Sequence, residues 1–245
     1  RQEDIKNNGQ GAPLTPIFHN LVSKYINKQN QIQFPIGFIN IGGISNITIV
    51  LEASGNTEEN IEAFDSGPGN CLIDEWIRVN SKKKFDNDGL IAQSGKIDQL
   101  ILNQAIDNFE IQSYDKSLDI KNFDTSFARG LSLEDGCATI TSFTAYLIAK
   151  GIEYSNKDKS KNIKYLICGG GRKNNFLINC IKDYSSNQTN ISLDIIDNYK
   201  YDGDYIESQA FGYLAIRSFL NLPISFPKTT GCDKPTVGGK IVENF

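Results

Sequence analysis

The sequence is short of two residue types whose scarcity excludes chemistry. It has no methionine and begins at Arg1, so we expect a chain that is incomplete at its N-terminus. Its one histidine, His19, leaves no histidine cluster for zinc and no HExxH motif. His19 follows Phe18 in a periodic apolar segment, where we expect a helix-surface residue rather than a catalytic base. Acid–base chemistry therefore falls to carboxylates.

Long apolar runs, paired cysteines and basic stripes are also missing. No segment reaches the ~18 consecutive apolar residues that a membrane span needs, so we expect no membrane partner. The five cysteines are scattered and form no CxxC pair, which is typical of reduced thiols in the cytoplasm. Net charge is −4, and the lysine-rich runs 82–84 and 157–164 are short enough to be solvated loops. These features argue against a nucleic-acid partner.

The hydrophobic pattern of the first half changes from helical to extended. Apolar residues spaced three and four apart predict a helix over Pro13–Asn27. Residues 36–51 are two β-rich runs around Gly42-Gly43, which predicts a hairpin. A short strand over Ile61–Phe64 then leads into Asp65, and the Gly-Pro-Gly that follows ends it and opens a helix. Three consecutive antiparallel strands are the simplest interpretation.

The second half alternates helices with buried strands. Ser132, with Asp135 three residues on, resembles a capping box and predicts a long helix to about Ile152. The remaining predicted elements are helix 97–106, strand 165–168, a helix from 174 or 175 to 183, strand 193–196 and helix 205–220. The order β-β-β-α, α, β-α-β-α predicts an α/β fold with a ribonuclease-H-like mixed sheet flanked by helices.

Two glycine-rich turns join strands to the elements that follow them. Gly42-Gly43 alone is equally explained by a plain hairpin turn. The run Gly169-Gly170-Gly171 lies between a buried strand and a helix, where such a run is costly unless something approaches the backbone closely. Either tight packing or a ligand satisfies that condition. Both turns together favour a nucleotide held by backbone N–H groups.

Several motifs, in order along the whole chain, resemble those of the anhydro-N-acetylmuramic acid kinases, members of the actin-like sugar-kinase superfamily. The motifs are GQGAPL at 9–14, NIGGISN at 40–46, FDSGPGN at 64–70, CGGG at 168–171 with Asn174, and ESQAF at 207–211. The resemblance implies a kinase that uses ATP and Mg²⁺ in peptidoglycan recycling. The implied reaction opens the 1,6-anhydro ring of the amino sugar with water and phosphorylates O6. The resemblance does not decide whether the protein forms a homodimer.

The resemblance also implies roles for particular residues. Asp65 is the expected catalytic base, with a helix N-cap as its alternative. The expected substrate ligands are Arg1, Asn70 and Glu207, of which Glu207 is equally explained as an exposed residue in the first turn of a helix. The expected cofactor-binding residues are Gly42, Gly43, Gly169, Gly170, Gly171 and Asn174. The sequence offers no set of metal ligands of its own.

The match departs from the family at the front of the chain. The Gly-Thr-Ser-x-Asp-Gly hairpin with which family members begin does not occur here. We therefore expect residues 1–16 to be the remnant of an N-terminal actin-like domain and residues 17–245 to form the C-terminal ribonuclease-H-like domain. Two alternatives stay open: another sugar or acyl-group kinase of the superfamily, and a nucleotide-binding module without turnover.

Overall fold

The computed structural model describes residues 1–54, 57–109 and 113–242. Strands in this part of the chain are β1 (Ile36–Ile41), β2 (Ile44–Val50), β3 (Ile61–Pro68), β4 (Ile163–Cys168) and β5 (Ile191–Ile195). They form one mixed sheet in the order β3-β2-β1-β4-β5. The first three strands are antiparallel to one another, whereas β4 and β5 run parallel to β1. This topology confirms the predicted ribonuclease-H-like α/β fold.

Helices cover both faces of the sheet. In chain order they are α1 (Gln2–Lys6), α2 (Pro16–Asn30), α3 (Thr57–Asn60), α4 (Cys71–Asn80), α5 (Leu90–Ser94), α6 (Gln99–Asn108), α7 (Leu133–Ser155), α8 (Asn175–Ser185), α9 (Ile206–Phe219) and α10 (Pro227–Thr230). The predicted cap of α7 is confirmed, because Ser132 Oγ accepts the Asp135 N–H at 3.0 Å. The predicted first long helix forms as α2, displaced three residues along the chain so that Pro16 occupies its first turn.

The core lies in two layers because successive strand residues point to opposite faces. Ile39 and Ile47 belong to the layer that packs against α4, α7 and α8. Phe38 and Val50 belong to the opposite layer, with residues of α2 and α9. Every one of these four side chains is fully buried. Helices therefore cover both faces of the sheet. The margins of the sheet, where the loops lie, are left for a functional site.

Asp65 lies inside a strand rather than after one. The expected strand end at Phe64 is wrong, because β3 continues through Asp65 to Pro68. β3 is an edge strand, where a proline without an N–H removes no ladder hydrogen bond that the sheet needs. The alternative that Asp65 caps a helix is also wrong, since α4 begins at Cys71 with Asn70 as its N-cap residue.

His19 is buried, which corrects the expectation of a helix-surface residue. Its side chain is 1% exposed, its ring is stacked on Phe38 at 4.7 Å, and its Nδ1 lies 2.9 Å from Thr48 Oγ1. Burial lowers the pKa of His19 to about 3, so the ring is neutral. The cause of the error is that α2 turns this face onto the sheet, which helical periodicity alone does not indicate.

All five cysteines are buried and free, in agreement with the expected reduced thiols. Within the described residues, no helix is long and apolar enough to cross a membrane.

Candidate functional site

The two glycine turns meet at one end of the sheet, together with the turn between β3 and α4. The Gly69 N–H donates to the Gly43 carbonyl at 2.9 Å, and the Asn70 N–H donates to the Gly42 carbonyl at 2.7 Å. A Cβ atom on Gly69 would lie 2.3 Å from the Gly42 oxygen, so only glycine fits there. The β3–α4 turn therefore fixes the β1–β2 hairpin from one side.

The second glycine turn packs against the same hairpin. Gly169 has a φ of +78°, and a Cβ on Gly171 would lie 2.3 Å from Ile41 Cγ2. Gly170 is exposed, and the nearest atom to its Cβ position is Asn70 Nδ2 at 3.8 Å. Tight packing thus explains Gly169 and Gly171, whereas Gly170 is open to a ligand. Gly42 and Gly43 are also open, with nearest atoms at 3.5 and 3.7 Å.

Arg172 holds the second glycine turn in place, a role that the sequence analysis missed. Its guanidinium contacts Asp197 and Asp204 at 2.8 Å each and donates to the Gly169 carbonyl at 3.1 Å. The side chain is 5% exposed. Gly203 allows this approach, because a Cβ there would lie 2.2 Å from Arg172 Nε. The available signal was an arginine beside the glycine run and a later Asp-Gly-Asp, separated by 30 residues of sequence.

A pocket of about 270 Å³ opens beside Gly170. Its lining includes Asn70, Asp74, Asp86, Lys173 and Asn174. Asn174 also acts as the N-cap of α8, because its side-chain oxygen accepts the Leu177 N–H at 2.9 Å. The structure therefore places Asn70, which we expected to bind substrate, with the glycine turn and the predicted cofactor residues.

Asp65 lies two strands away from β1, in a different cleft. Its side chain is 8% exposed, and its Oδ2 accepts the Leu118 N–H at 2.8 Å. Burial raises the pKa of the carboxyl group above its ordinary value, and the Leu118 hydrogen bond opposes part of that rise. A buried carboxylate with a raised pKa is a suitable general base.

A row of polar residues joins Asp65 to the hairpin. Asn46 is the register partner of both Asp65 and Asn40, so the three side chains share one face of the sheet. Because Asp65 and Asn40 are two strands apart, their backbones are about 10 Å from each other. Asn46 Oδ1 is buried and has no hydrogen-bond partner among the described residues. A buried orphan oxygen at this point fits a polar or cationic ligand.

The Asp65 cleft, also about 270 Å³, runs along the edge strand β3. Its lining comes from four further segments, 10–13, 114–117, 154–157 and 227–231. Tyr114 and Tyr154 lie in it with ring centroids 4.3 Å apart. Within the described residues, the linings of this cleft and of the glycine-turn pocket do not overlap.

The two remaining candidates lie outside both linings. Arg1 is exposed, and its side chain covers Gly11, whose Cβ position is 2.5 Å from Arg1 Cγ. Glu207 is exposed in the first turn of α9, as its alternative interpretation predicted. Burial raises the pKa of the Cys168 thiol to about 12, and Glu207 contributes to that rise, which places its charge near the end of β4.

The fold and this site define a ribonuclease-H-like α/β domain with a buried carboxylate in one cleft and, at the end of the sheet, two glycine turns that are approachable at Gly42, Gly43 and Gly170. A model of the family described as "Anhydro-N-acetylmuramic acid kinase" matches residues 1–244. The chain belongs to the anhydro-N-acetylmuramic acid kinase family.

Two curated relatives carry that name. The protein from Pelagibacter ubique is 51% identical over 248 residues, covering 100% of this chain and 64% of the relative. The protein from Brucella canis is 37% identical over 240 residues, covering 98% of this chain and 61% of the relative. The chain thus spans somewhat less than two thirds of the length of these relatives.

Among solved structures, the chain is similar to the activator of the 2-hydroxyisocaproyl-CoA dehydratase from Clostridium difficile with bound ADPNP. The identity is 13%, the TM-score is 0.42, and the match covers 79% of this chain and 67% of the other.

Proposed function

We propose that this chain is the catalytic C-terminal part of a two-domain kinase. The kinase opens the 1,6-anhydro ring of anhydro-N-acetylmuramic acid and phosphorylates O6, with ATP as donor. The observation that carries the proposal is Asp65, a buried carboxylate with a raised pKa in a cleft, joined by the cross-strand row Asn46 and Asn40 to the turn at Gly42-Gly43. In this proposal residues 1–16 belong to a preceding actin-like domain, and residues 17–245 form the domain described above.

Asp65 serves as the base for the ring opening. The carboxylate accepts a proton from the water whose oxygen bonds to the anomeric carbon, while the bond from that carbon to O6 breaks. O6 then attacks the γ-phosphorus and ADP leaves. The proton on Asp65 passes to solvent, which restores the base. One carboxylate thus supports both bond changes, which is consistent with the raised pKa of Asp65.

The open glycine positions fit a nucleotide. The backbone at Gly42, Gly43 and Gly170 is approachable, and the pocket beside Gly170 contributes Asn70 and Asn174. Bound there, ATP supplies the phosphoryl group. Among the described residues no three His, Cys, Asp or Glu side chains converge on a metal position, so Mg²⁺ in this proposal is held mainly through the phosphates.

The remaining expectations stay predictions. Arg1 and Glu207 are proposed to bind the sugar. The cytoplasmic location, the homodimer and the absence of a nucleic-acid partner also remain predictions, and small molecules are the partners that the site favours.

The test is ADP release by the full-length protein with ATP, Mg²⁺ and the anhydro sugar. We expect one ADP for each sugar consumed, and we expect Asp65→Asn to lower kcat about 10²- to 10⁴-fold while nucleotide binding persists. Full activity of Asp65→Asn would exclude Asp65 as the base. Turnover of simple hexoses, but not of the anhydro sugar, would assign another kinase activity.

A further inference from the structure

Both polar atoms of the Gln10 side chain form hydrogen bonds with the segment 113–118. Its Nε2 donates to the Asp115 carbonyl, and its Oε1 accepts the Ser117 N–H. The Ser117 hydroxyl adds a hydrogen bond to the Ala12 carbonyl at 3.1 Å. A side-chain amide that satisfies one donor and one acceptor of the same segment fixes that segment much as a neighbouring strand would.

The backbone around Gln10 is itself held by hydrogen bonds to α1 and α10. The Gln10 N–H donates to the Thr230 carbonyl at 2.8 Å, and the next residue, Gly11, donates its N–H to Asp4 Oδ2 at 2.7 Å. Asp4 is 3% exposed and also accepts the Thr230 hydroxyl at 2.6 Å. The loop that carries Gln10 is therefore fixed to α1 and α10, so it can serve as a rigid support.

The last residue of the segment 113–118 forms a hydrogen bond with Asp65. Leu118 directly follows Ser117, and its N–H is the donor at 2.8 Å from Asp65 Oδ2. One carboxylate oxygen is thereby held, and among the described residues no hydrogen bond to Oδ1 is found, which leaves that oxygen for proton transfer. The chain of contacts runs from Gln10 through Ser117 and Leu118 to Asp65.

We propose that Gln10 is a positioning residue for the Asp65 base, acting through the backbone of residues 115–118. The proposal rests on the proposed function insofar as it concerns catalysis, whereas the contacts it invokes do not depend on the substrate. Gln10 touches no reacting atom in this role. Its function is to hold the Leu118 N–H against Asp65 so that the carboxylate keeps one orientation.

Loss of Gln10 has a predictable electrostatic sign. The Leu118 N–H stabilises the charged form of Asp65, so releasing it raises the pKa of the carboxyl group further. The titratable groups that line the cleft beside Asp65 are Glu62, Tyr114, Asp115, Lys116, Tyr154, Lys157 and Lys228. Asp4 hydrogen-bonds to Thr230 of the cleft lining, and His19 lies on α2, which packs against β3. Gln10→Ala removes none of these groups, and a pKa shift that accompanies faster exchange of the Leu118 amide reports the lost hydrogen bond.

The experiment compares full-length wild type, Gln10→Ala and Gln104→Ala, a matched exposed glutamine on α6. In Gln10→Ala we expect faster hydrogen exchange at the Ser117 and Leu118 amides and a higher Asp65 pKa in a carboxyl-carbon NMR titration. We also expect kcat to fall about 10- to 100-fold, its acidic limb to move to higher pH, and the KM for ATP to stay unchanged. Gln104→Ala should match the wild type in every measurement.

Unchanged Leu118 exchange and an unchanged Asp65 pKa in Gln10→Ala would overturn the proposal. If that variant does not fold, Gln10→Glu takes its place and is followed by amide exchange alone, because it keeps an acceptor for the Ser117 N–H but replaces the donor to the Asp115 carbonyl with a carboxylate oxygen and adds a negative charge. Intermediate amide protection in Gln10→Glu supports the proposal, and wild-type protection contradicts it. If the wild type fails to turn over the sugar, the proposed function fails, while exchange and titration still decide the role of Gln10.

Discussion

The Asp65 cleft and the glycine-turn pocket are built in opposite ways. Asp65 lies on the edge strand β3, and a neutral group holds its carboxylate, because the backbone N–H of Leu118 in a neighbouring loop donates to it. The turn Gly169–Gly171 is instead held by charged side chains, because Arg172 pairs with Asp197 and Asp204 and donates to the Gly169 carbonyl.

The difference is visible in the carboxyl groups of the two regions. Burial raises the pKa of Asp65, whereas the hydrogen bond from Arg172 lowers the pKa of Asp197. Burial therefore destabilises the ionised form of Asp65, the base of the proposed function, whereas Arg172 stabilises the ionised form of Asp197.

The largest expected effect on stability is at the packed glycine. Gly171→Ala places a methyl group against Ile41 Cγ2 and should cost about 1–3 kcal/mol of unfolding free energy. Gly170→Ala, one residue earlier, would bring its Cβ no closer than 3.8 Å to Asn70 Nδ2 and should change stability by no more than about 0.5 kcal/mol. Urea unfolding of both variants measures the difference. Equal effects would show that the turn is not packed as described.

Arg172→Met should have a smaller effect. It removes the support of the glycine turn and leaves the Gly169 carbonyl without its side-chain donor, at a cost of about 1–2 kcal/mol. We also expect weaker ATP binding, measured by calorimetry. Lys182→Met is the control, because Lys182 is an exposed lysine on α8 that lines neither the glycine-turn pocket nor the Asp65 cleft, so its loss should change stability by no more than about 0.5 kcal/mol. ATP affinity that falls as much in the control would refute the special role of Arg172.

The smallest effects are two pH dependences of opposite sign. Because the folded-state pKa of Asp65 is raised, the ionised group weakens folding above its pKa, and Asp65→Asn should raise the melting temperature near neutral pH. That gain should vanish below the ordinary carboxyl pKa of about 3.9. The folded-state pKa of Asp197 is lowered, so its stabilisation exists above the unfolded pKa and is lost as pH falls through the folded one.

Asp197→Asn should therefore lower the melting temperature near neutral pH, and its deficit should shrink in acid. Thermal scans of both variants from neutral pH to about pH 2 provide the measurement. If both substitutions changed the melting temperature in the same direction, the contrast between Asp65 in its cleft and Asp197 beside Arg172 would be contradicted.

The sheet and its order were predictable because hydrophobic periodicity and turn residues are local signals. The hairpin at Gly42-Gly43 and the cap at Ser132 are confirmed for that reason. The continuation of β3 through Asp65 was not predictable, since only its place at the sheet edge makes Gly67 and Pro68 tolerable in a strand. His19 was misplaced because local pattern does not say which helix face meets the sheet.

The candidate site was predictable only as far as sequence neighbours define it. The glycine turns and Asp65 lie in recognisable motifs, but the partner of Arg172 is Asp204 and the partner of Gln10 is Ser117, 107 residues further along the chain. Such pairs depend on tertiary packing, and a single sequence carries no signal for them. Their assignment therefore comes from the geometry.

The position of Asp65 on an edge strand has a consequence for solubility. An unpaired strand edge is a template for association with other chains, and proteins protect such edges with loops or helices. Here α10 packs against β3 and the segment around Ser117 lies over the cleft along it. The cover that positions the carboxylate thus also keeps the strand from pairing with a neighbour, so variants that loosen it should aggregate on heating sooner than their loss of stability alone explains.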